Sequence, residues 1–221
     1  VAAQESSRVT ASEKVNHPFF ARVYMRLAQG ADARGGTEHR RELLAGARGR
    51  VLEIGAGAGA NFAHYPATVA EVLALEPERH LREHALQAAA AAPVAVSVRE
   101  GHASRLELED ASFDVGVASL VLCTVPDQPL ALAELFRVIR PGGELRFYEH
   151  VRARKGGEAR VQDMADATFW PRIAGGCHLG RDTAAAIAAA GFELESCRRF
   201  AFAPAKYVPP AAHILGVARR R

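Results

Sequence analysis

The sequence predicts an α/β domain, an open and largely parallel sheet doubly wound by helices on its two faces. Short apolar runs alternate with amphipathic stretches along most of the chain, the pattern that builds such a sheet. The first of those runs ends in a glycine-rich turn, "VLEIGAGAGANF", Val51 to Phe62. A length of 221 residues, 49% hydrophobic and 24% charged, suits one buried core with no internal repeat or low-complexity linker.

The elements follow in order. Residues 1–49 show helical periodicity only, with Phe19, Phe20, Val23, Tyr24 and Leu27 on one face of the stretch Asn16 to Ala28. They are read as a helical N-terminal cap within a single domain of residues 1–221. Five candidate strands come next: "RVLEIG" (Arg50 to Gly55), "EVLALEP" (Glu71 to Pro77), "PVAVSVREG" (Pro93 to Gly101), "FDVGVASLVL" (Phe113 to Leu122) and "GELRFYEHV" (Gly143 to Val151). The helical pattern is clearest where Leu132, Leu135, Phe136 and Ile139 recur at i, i+3, i+4 and i+7, with Asp127 suited to the start and Pro141-Gly142 to the stop. Residues 152–180 break the alternation and are read as an insertion of loop and helix that shapes a pocket. "RDTAAAIAAAGF" then gives a helix capped by Asp182 or Thr183 and ended at Gly191, and "FELESCRRF" and "HILGVARR" supply two last strands.

Composition excludes several classes. The longest apolar run, Val115 to Val125, is about half the ~20 residues a membrane-spanning helix needs. The polar first fifteen residues lack the apolar centre of a secretion signal, so the expected location is cytoplasmic with no integral membrane segment. Cys123, Cys177 and Cys197 are scattered and form no C-x-x-C pair, which argues against a disulfide framework or a metal site. Cys123 reads as a small buried hydrophobe, and Cys177 beside His178 lacks further clustered ligands. The formal charge of +3 comes from arginines spread over the whole chain, so no nucleic-acid partner is expected.

In such a sheet, ligands bind beyond the carboxyl ends of the strands, where strand order reverses. Gly55, Gly57 and Gly59 sit at that end of the first strand, clear side chains from a sharp turn and precede a helix start whose amides can receive a negative group. Two ligands remain open at this point. Gly55, Gly57 and Ala60 also satisfy the dinucleotide pattern G-x-G-x-x-A, with Glu76 at about the ~20-residue spacing of a ribose-binding acid. Against a pyrophosphate stands Glu53, a carboxylate two residues before the first glycine, which suits a cationic amine. A dehydrogenase also normally needs a further substrate region, yet one sheet consumes nearly the whole chain.

"VLEIGAGAGANF", "LALEPERHL", "ASFDVGVASLVLCTV" and "ELFRVIRPGGELRFYEHV" together resemble the successive motifs of the class I methyltransferases that use S-adenosylmethionine. The combination "GANFAHYP", "LVLCTVPD", "EHV", "FWPRIAGGCHLGRDT" and "KYVPPAAHILGVARR" is similar to a subgroup of alkyl-thiol methyltransferases and soluble bacterial relatives labelled as lipid or quinone methyltransferases. The likeness spans Asn16 to the C-terminus, without the apolar anchor of membrane-bound members. It implies a Rossmann-like sheet of seven strands with the last antiparallel. It also implies that the methionine part of the cofactor lies along Glu53, Gly55, Gly57, Gly59 and Asn61, and that Glu76, followed by Pro77, accepts both ribose hydroxyls. The family pattern often has an acid after the third-strand glycine, where this sequence has Gly101-His102-Ala103, so backbone groups or His102 are expected to hold adenine. Ser119 and Leu120 should border the sulfonium.

For an acceptor thiol, mostly protonated at neutral pH, a nearby base or positive charge helps. His150 at the end of the fifth strand is the first candidate, then His178 and His213, although a strand-end histidine is commonly a structural hydrogen-bonding group. Trp170, Phe169, Tyr207 and the Phe19-Phe20 pair could wall an apolar pocket or simply fill core and lid. The expected activity is S-methylation of a small apolar thiol, with N-, O- or C-methylation of a lipid, quinone or natural product behind it. A nicotinamide-dependent oxidoreductase and a non-catalytic binding module are the remaining readings, and homodimerisation stays open.

Overall fold

The computed structural model describes residue 25 and residues 30–154, 156–206 and 208–221. The amphipathic stretch expected over residues 16–28 lies outside the described residues except for Met25, as does Tyr207. The described part of the N-terminal cap is a π-helical turn, Asp32–Gly36, running into helix α1, Thr37–Leu44, which buries Leu43 and Leu44 against the sheet.

Seven strands form one sheet: β1 (Gly49–Ile54), β2 (Val69–Leu75), β3 (Ala95–Arg99), β4 (Phe113–Ser119), β5 (Ile139–His150), β6 (Phe192–Phe202) and β7 (Ala211–Arg220). Their spatial order is β3-β2-β1-β4-β5-β7-β6. The first five pair in parallel, and β7 enters between β5 and β6 antiparallel to both, the arrangement expected from the sequence. The central strands β1 and β4 read as almost unbroken apolar runs because both of their faces are covered, whereas β3 at one edge alternates.

Two cores fill the two faces. On one, Leu52, Ile54 and Phe147 meet Leu132 and Leu135 of helix α3 (Gln128–Val138) and Ile187 of helix α6 (Thr183–Ala189). On the other, Val51, Val117 and Tyr148 meet α1 and Ala85 of helix α2 (Arg79–Ala90). Side-chain caps fix the helix starts. Glu78 accepts from Leu81 N at 2.6 Å, Asp127 from Leu130 N at 2.9 Å, and Asp182 from Ala185 N at 3.2 Å. Of the two cap candidates before α6, Asp182 is the one that caps, while Thr183 is buried and accepts from Gln128 Nε2.

Three expectations are corrected. The segment after the glycine turn is a 3₁₀ turn, Phe62–His64, and not an α-helix; Tyr65 is already extended before Pro66, which disfavours helical backbone in the residue it follows. The crossover between β3 and β4 likewise carries no helix. Helix α3 ends at Val138, before Pro141-Gly142, since Ile139 already has extended backbone and opens β5. Within residues 152–180 lie helices α4 (Gly156–Thr168) and α5 (Trp170–Ile173).

Candidate functional site

Strand order reverses between β1 and β4, so the crevice beyond their carboxyl ends is the natural ligand position. The glycine turn forms one wall. Gly55 has φ +59°, and a Cβ there would run into the side chain of Val121, which follows β4. At Gly59, φ +81°, a Cβ would run into the Phe62 ring 2.7 Å away and Ala88 2.9 Å away, so the packing there admits only glycine.

Glu76, just past β2, is buried and ties that turn down. Its carboxylate accepts from Gly57 N at 2.8 Å and Glu78 N at 2.9 Å. Burial raises its pKa, and those two backbone bonds oppose the rise. Each oxygen keeps a second lone pair after its backbone bond, the acceptor capacity a ribose diol requires. Pro77 shapes the same corner, where Arg82 Nη1 donates to the carbonyls of Glu76 and Pro77 at 2.8 and 3.0 Å. Gly101 packs over Leu75 at this end of the sheet, and the His102 carbonyl accepts from Arg105 N at 3.1 Å.

Glu53 is 1% exposed, and both of its oxygens are held, by Asn61 Nδ2 and Tyr65 Oη, each at 2.7 Å. Burial pushes its pKa up to about 7 against the pull of those bonds. Asn61 Oδ1 accepts from Arg40 Nη1 at 3.0 Å, and Arg40 Nε bonds Asp32 at 3.0 Å, so a buried polar chain runs from the N-terminal helical region to the glycine turn. Tyr65 and Arg40 carry no sequence signal for this, because only folding brings them to Glu53 and Asn61.

The opposite wall is the end of β4. Ser119 Oγ is buried with no hydrogen-bond partner among the described residues, an arrangement a polar ligand would relieve. Leu120 sits at φ +57°, strained for a branched-chain residue, with its N–H on the Tyr148 carbonyl at 2.6 Å. The next three amides, of Val121, Leu122 and Cys123, donate to the carboxylate of Glu149 at 3.0, 2.9 and 3.0 Å. Glu149 is fully buried, and its pKa is pushed up to about 7 by that burial. It was missed in the sequence, where it stands inside the same "YEHV" that drew attention to His150.

Beside this turn the structure brings together residues that the sequence scatters. Cys123 Sγ lies 3.7 Å from Cys177 Sγ, and His150 Nδ1 lies 3.8 and 3.7 Å from the two sulfurs. The expected lack of clustered ligands around Cys177 is therefore corrected: its neighbours are Cys123 and His150, and not the adjacent His178. The Cys123 thiol, then His150 and the Trp170 indole, push the Cys177 thiol down to about 5. Cys123 shifts well upward in return. The His178 ring is 3.9 Å from Asp166 Oδ2, and only its N–H joins the cluster, donating to the Cys123 carbonyl at 2.8 Å. His213 is buried 4.2 Å ring to ring from His150, and its pKa falls to about 3 through burial and then the His150 charge, which makes it a poor base.

The insertion closes over this corner. Asp166 accepts from Leu179 N and Gly180 N at 2.9 and 2.7 Å, and Arg181 donates to the carbonyls of Leu122 and Val125 at 2.7 and 2.8 Å. Trp170 is half-buried here, whereas Phe169 is 53% exposed. Phe19, Phe20 and Tyr207 lie outside the described residues.

Comparison with known proteins bears on this geometry. Residues 52–147 match the family described as "Methyltransferase domain". Thiol S-methyltransferase TMT1B of Homo sapiens is 37% identical over 182 residues, 79% of this chain and 73% of that protein. Thiol S-methyltransferase TMT1A of Homo sapiens is 31% identical, again over 79% of this chain and 73% of that protein. A crystal structure from Thermotoga maritima, described as a SAM-dependent methyltransferase and possible histamine N-methyltransferase, superposes with a TM-score of 0.67 at 20% identity. It covers 92% of this chain and 97% of that one, and it speaks to the fold alone.

Proposed function

The chain belongs to the S-adenosylmethionine-dependent methyltransferases, and on that premise we propose that its acceptor is a small, apolar thiol, methylated on sulfur. S-adenosylmethionine supplies an electrophilic methyl group on a sulfonium that departs as a neutral thioether. The protein's part is to hold and align, since in-line attack needs little covalent help.

In this reading Glu53, Gly55, Gly57, Gly59 and Asn61 line the methionine end of the cofactor, Glu76 with Pro77 takes the ribose, and Gly101, His102 and Ala103 border adenine. Two observations favour that fit: the buried Ser119 Oγ, which has no hydrogen-bond partner among the described residues, and the acceptor capacity of Glu76. Ser119 and Leu120 then stand between the cofactor and the acceptor. The observation that carries the thiol assignment is the half-buried imidazole of His150 beside two sulfurs, a thiol-compatible corner two residues past Val121, which packs against the first glycine. The likeness to thiol S-methyltransferases points the same way. His178 is left with a positioning role through its backbone, and residues 152–180 form the acceptor wall. Among the described residues no helix is long and apolar enough to cross a membrane, which fits an acceptor delivered from water.

Titration calorimetry with S-adenosylhomocysteine, run beside a nicotinamide dinucleotide, tests the cofactor half. Selective binding of the former is expected. Glu76→Ala should weaken it by ~1.5 to 3 kcal/mol, the worth of a charged hydrogen bond, and unchanged affinity would remove Glu76 from the ribose site. A panel of alkyl thiols, amines, phenols and quinols assayed by mass spectrometry tests the acceptor half. A methyl thioether is expected, and methylation confined to nitrogen, oxygen or carbon acceptors would replace the thiol reading.

A further inference from the structure

We propose that Cys123, His150 and Cys177 form a three-ligand zinc site whose open fourth position takes the acceptor as a thiolate. The proposal rests on the thiol reading above and assigns that thiol its place.

The three potential ligand atoms form a nearly equilateral triangle with edges of 3.7, 3.7 and 3.8 Å. A tetrahedral zinc ion with Zn–S near ~2.3 Å and Zn–N near ~2.0 Å sets its sulfur ligands about 3.8 Å apart and each sulfur about 3.5 Å from the nitrogen. The triangle therefore needs adjustment of only a few tenths of an ångström to close on the ion. Two thiolates and a neutral imidazole balance the charge of a divalent cation, which matters because both cysteines are buried. Soft sulfur with imidazole selects zinc over the oxygen-seeking cations.

The backbones behind the ligands are fixed by separate means, the outer-shell support a metal site requires. Glu149 holds the amide of Cys123, and the His178 amide holds its carbonyl. The Cys177 amide donates to the Ala174 carbonyl at 3.1 Å. His150 is the last residue of β5 and sits opposite His213 in the sheet register. With three protein ligands the ion keeps an open position, as catalytic zinc sites do and structural ones do not. His150 is the half-buried member of the trio and marks the side from which a fourth ligand can enter.

The step balances simply. The acceptor R–SH gives its proton to water on binding the ion as thiolate. A sulfur lone pair then forms the new S–CH₃ bond while the C–S bond of the sulfonium breaks, its electron pair remaining on the departing thioether. The methylated product is a neutral thioether, a weaker ligand than a thiolate, and is released. No oxidant or reductant takes part.

The test uses the full chain, reduced, stripped with a chelator and reloaded with zinc or cobalt(II). Elemental analysis should give one metal per chain, and the cobalt form should show the intense visible bands of a tetrahedral site with thiolate charge transfer. Cys177→Ser and Cys123→Ala should each weaken metal binding at least tenfold while leaving S-adenosylhomocysteine affinity within about twofold, which separates a lost ligand from a lost fold. Adding an alkyl thiol to the cobalt form should shift its spectrum, and Cys177→Ser should abolish the shift. Reduced protein that retains no metal overturns the proposal, as does bound cobalt whose spectrum ignores every thiol. If the metal-free chain makes the thioether at the full rate, the metal role falls and the thiol reading stands. If no thiol is methylated under any loading, the thiol reading itself fails.

Discussion

Glu53 shows what one buried carboxyl can report. In the free protein its pKa is raised to about 7 by burial, so near neutrality it is part protonated. A cationic amine brought against it would favour the carboxylate, and ligand binding would then expel a proton. We expect S-adenosylhomocysteine binding at pH 7 to release about half a proton, read from calorimetry in buffers of different ionisation enthalpy, and Glu53→Gln to abolish the release. Zero release or uptake by the parent chain would put the amine elsewhere. Glu53, Glu76 and the glycines were legible in the sequence because each stands at a fixed spacing from a strand end, and spacing survives without a fold. Arg40, Tyr65, Glu149 and the Cys123–Cys177 pair were not, because their partners lie between 12 and 54 residues away and share no local pattern with them.

At the level of elements, the turn from β4 into α3 has one central support. Glu149 collects three consecutive amides there, and burial raises its pKa to about 7 from an ordinary 4.5. The folded protein thus binds this proton more tightly than the unfolded chain. The raised pKa favours the fold below about pH 4.5, and that advantage is lost as pH rises towards 7. Relative to Glu149→Gln, which has no such proton, the parent should lose on the order of 3 kcal/mol across that window, seen by urea denaturation at a series of pH values. Parallel slopes in the two proteins would mean that Glu149 does not titrate there. The strands were readable because a strand covered on both faces must be apolar throughout. Two crossovers were misjudged for a related reason: regular alternation implies a helix between strands, but it does not distinguish a helix from the 3₁₀ turn and the loop that join these strands.

For the whole molecule, the crevice where we place the ligand is assembled from parts far apart in the chain: the glycine turn, the corner after β2, the end of β4, and the segment 152–180 folded back on that end. Sheet topology brings them together, since β1 and β4 are neighbours at the point where strand order reverses. The polar chain Asp32–Arg40–Asn61–Glu53–Tyr65 adds a tie the sheet does not provide, joining the N-terminal helical region to the glycine turn through side chains alone. Local opening of α1 would have to break that tie, and the tie is also where we place the methionine end of the cofactor. Hydrogen exchange should therefore slow across residues 40–44 when S-adenosylhomocysteine binds, and Arg40→Met should remove that slowing while the exchange of β4 is unchanged. Occupancy of the crevice would then set how long α1 stays closed, so that the lifetime of that helix against a protease would track the supply of methyl donor.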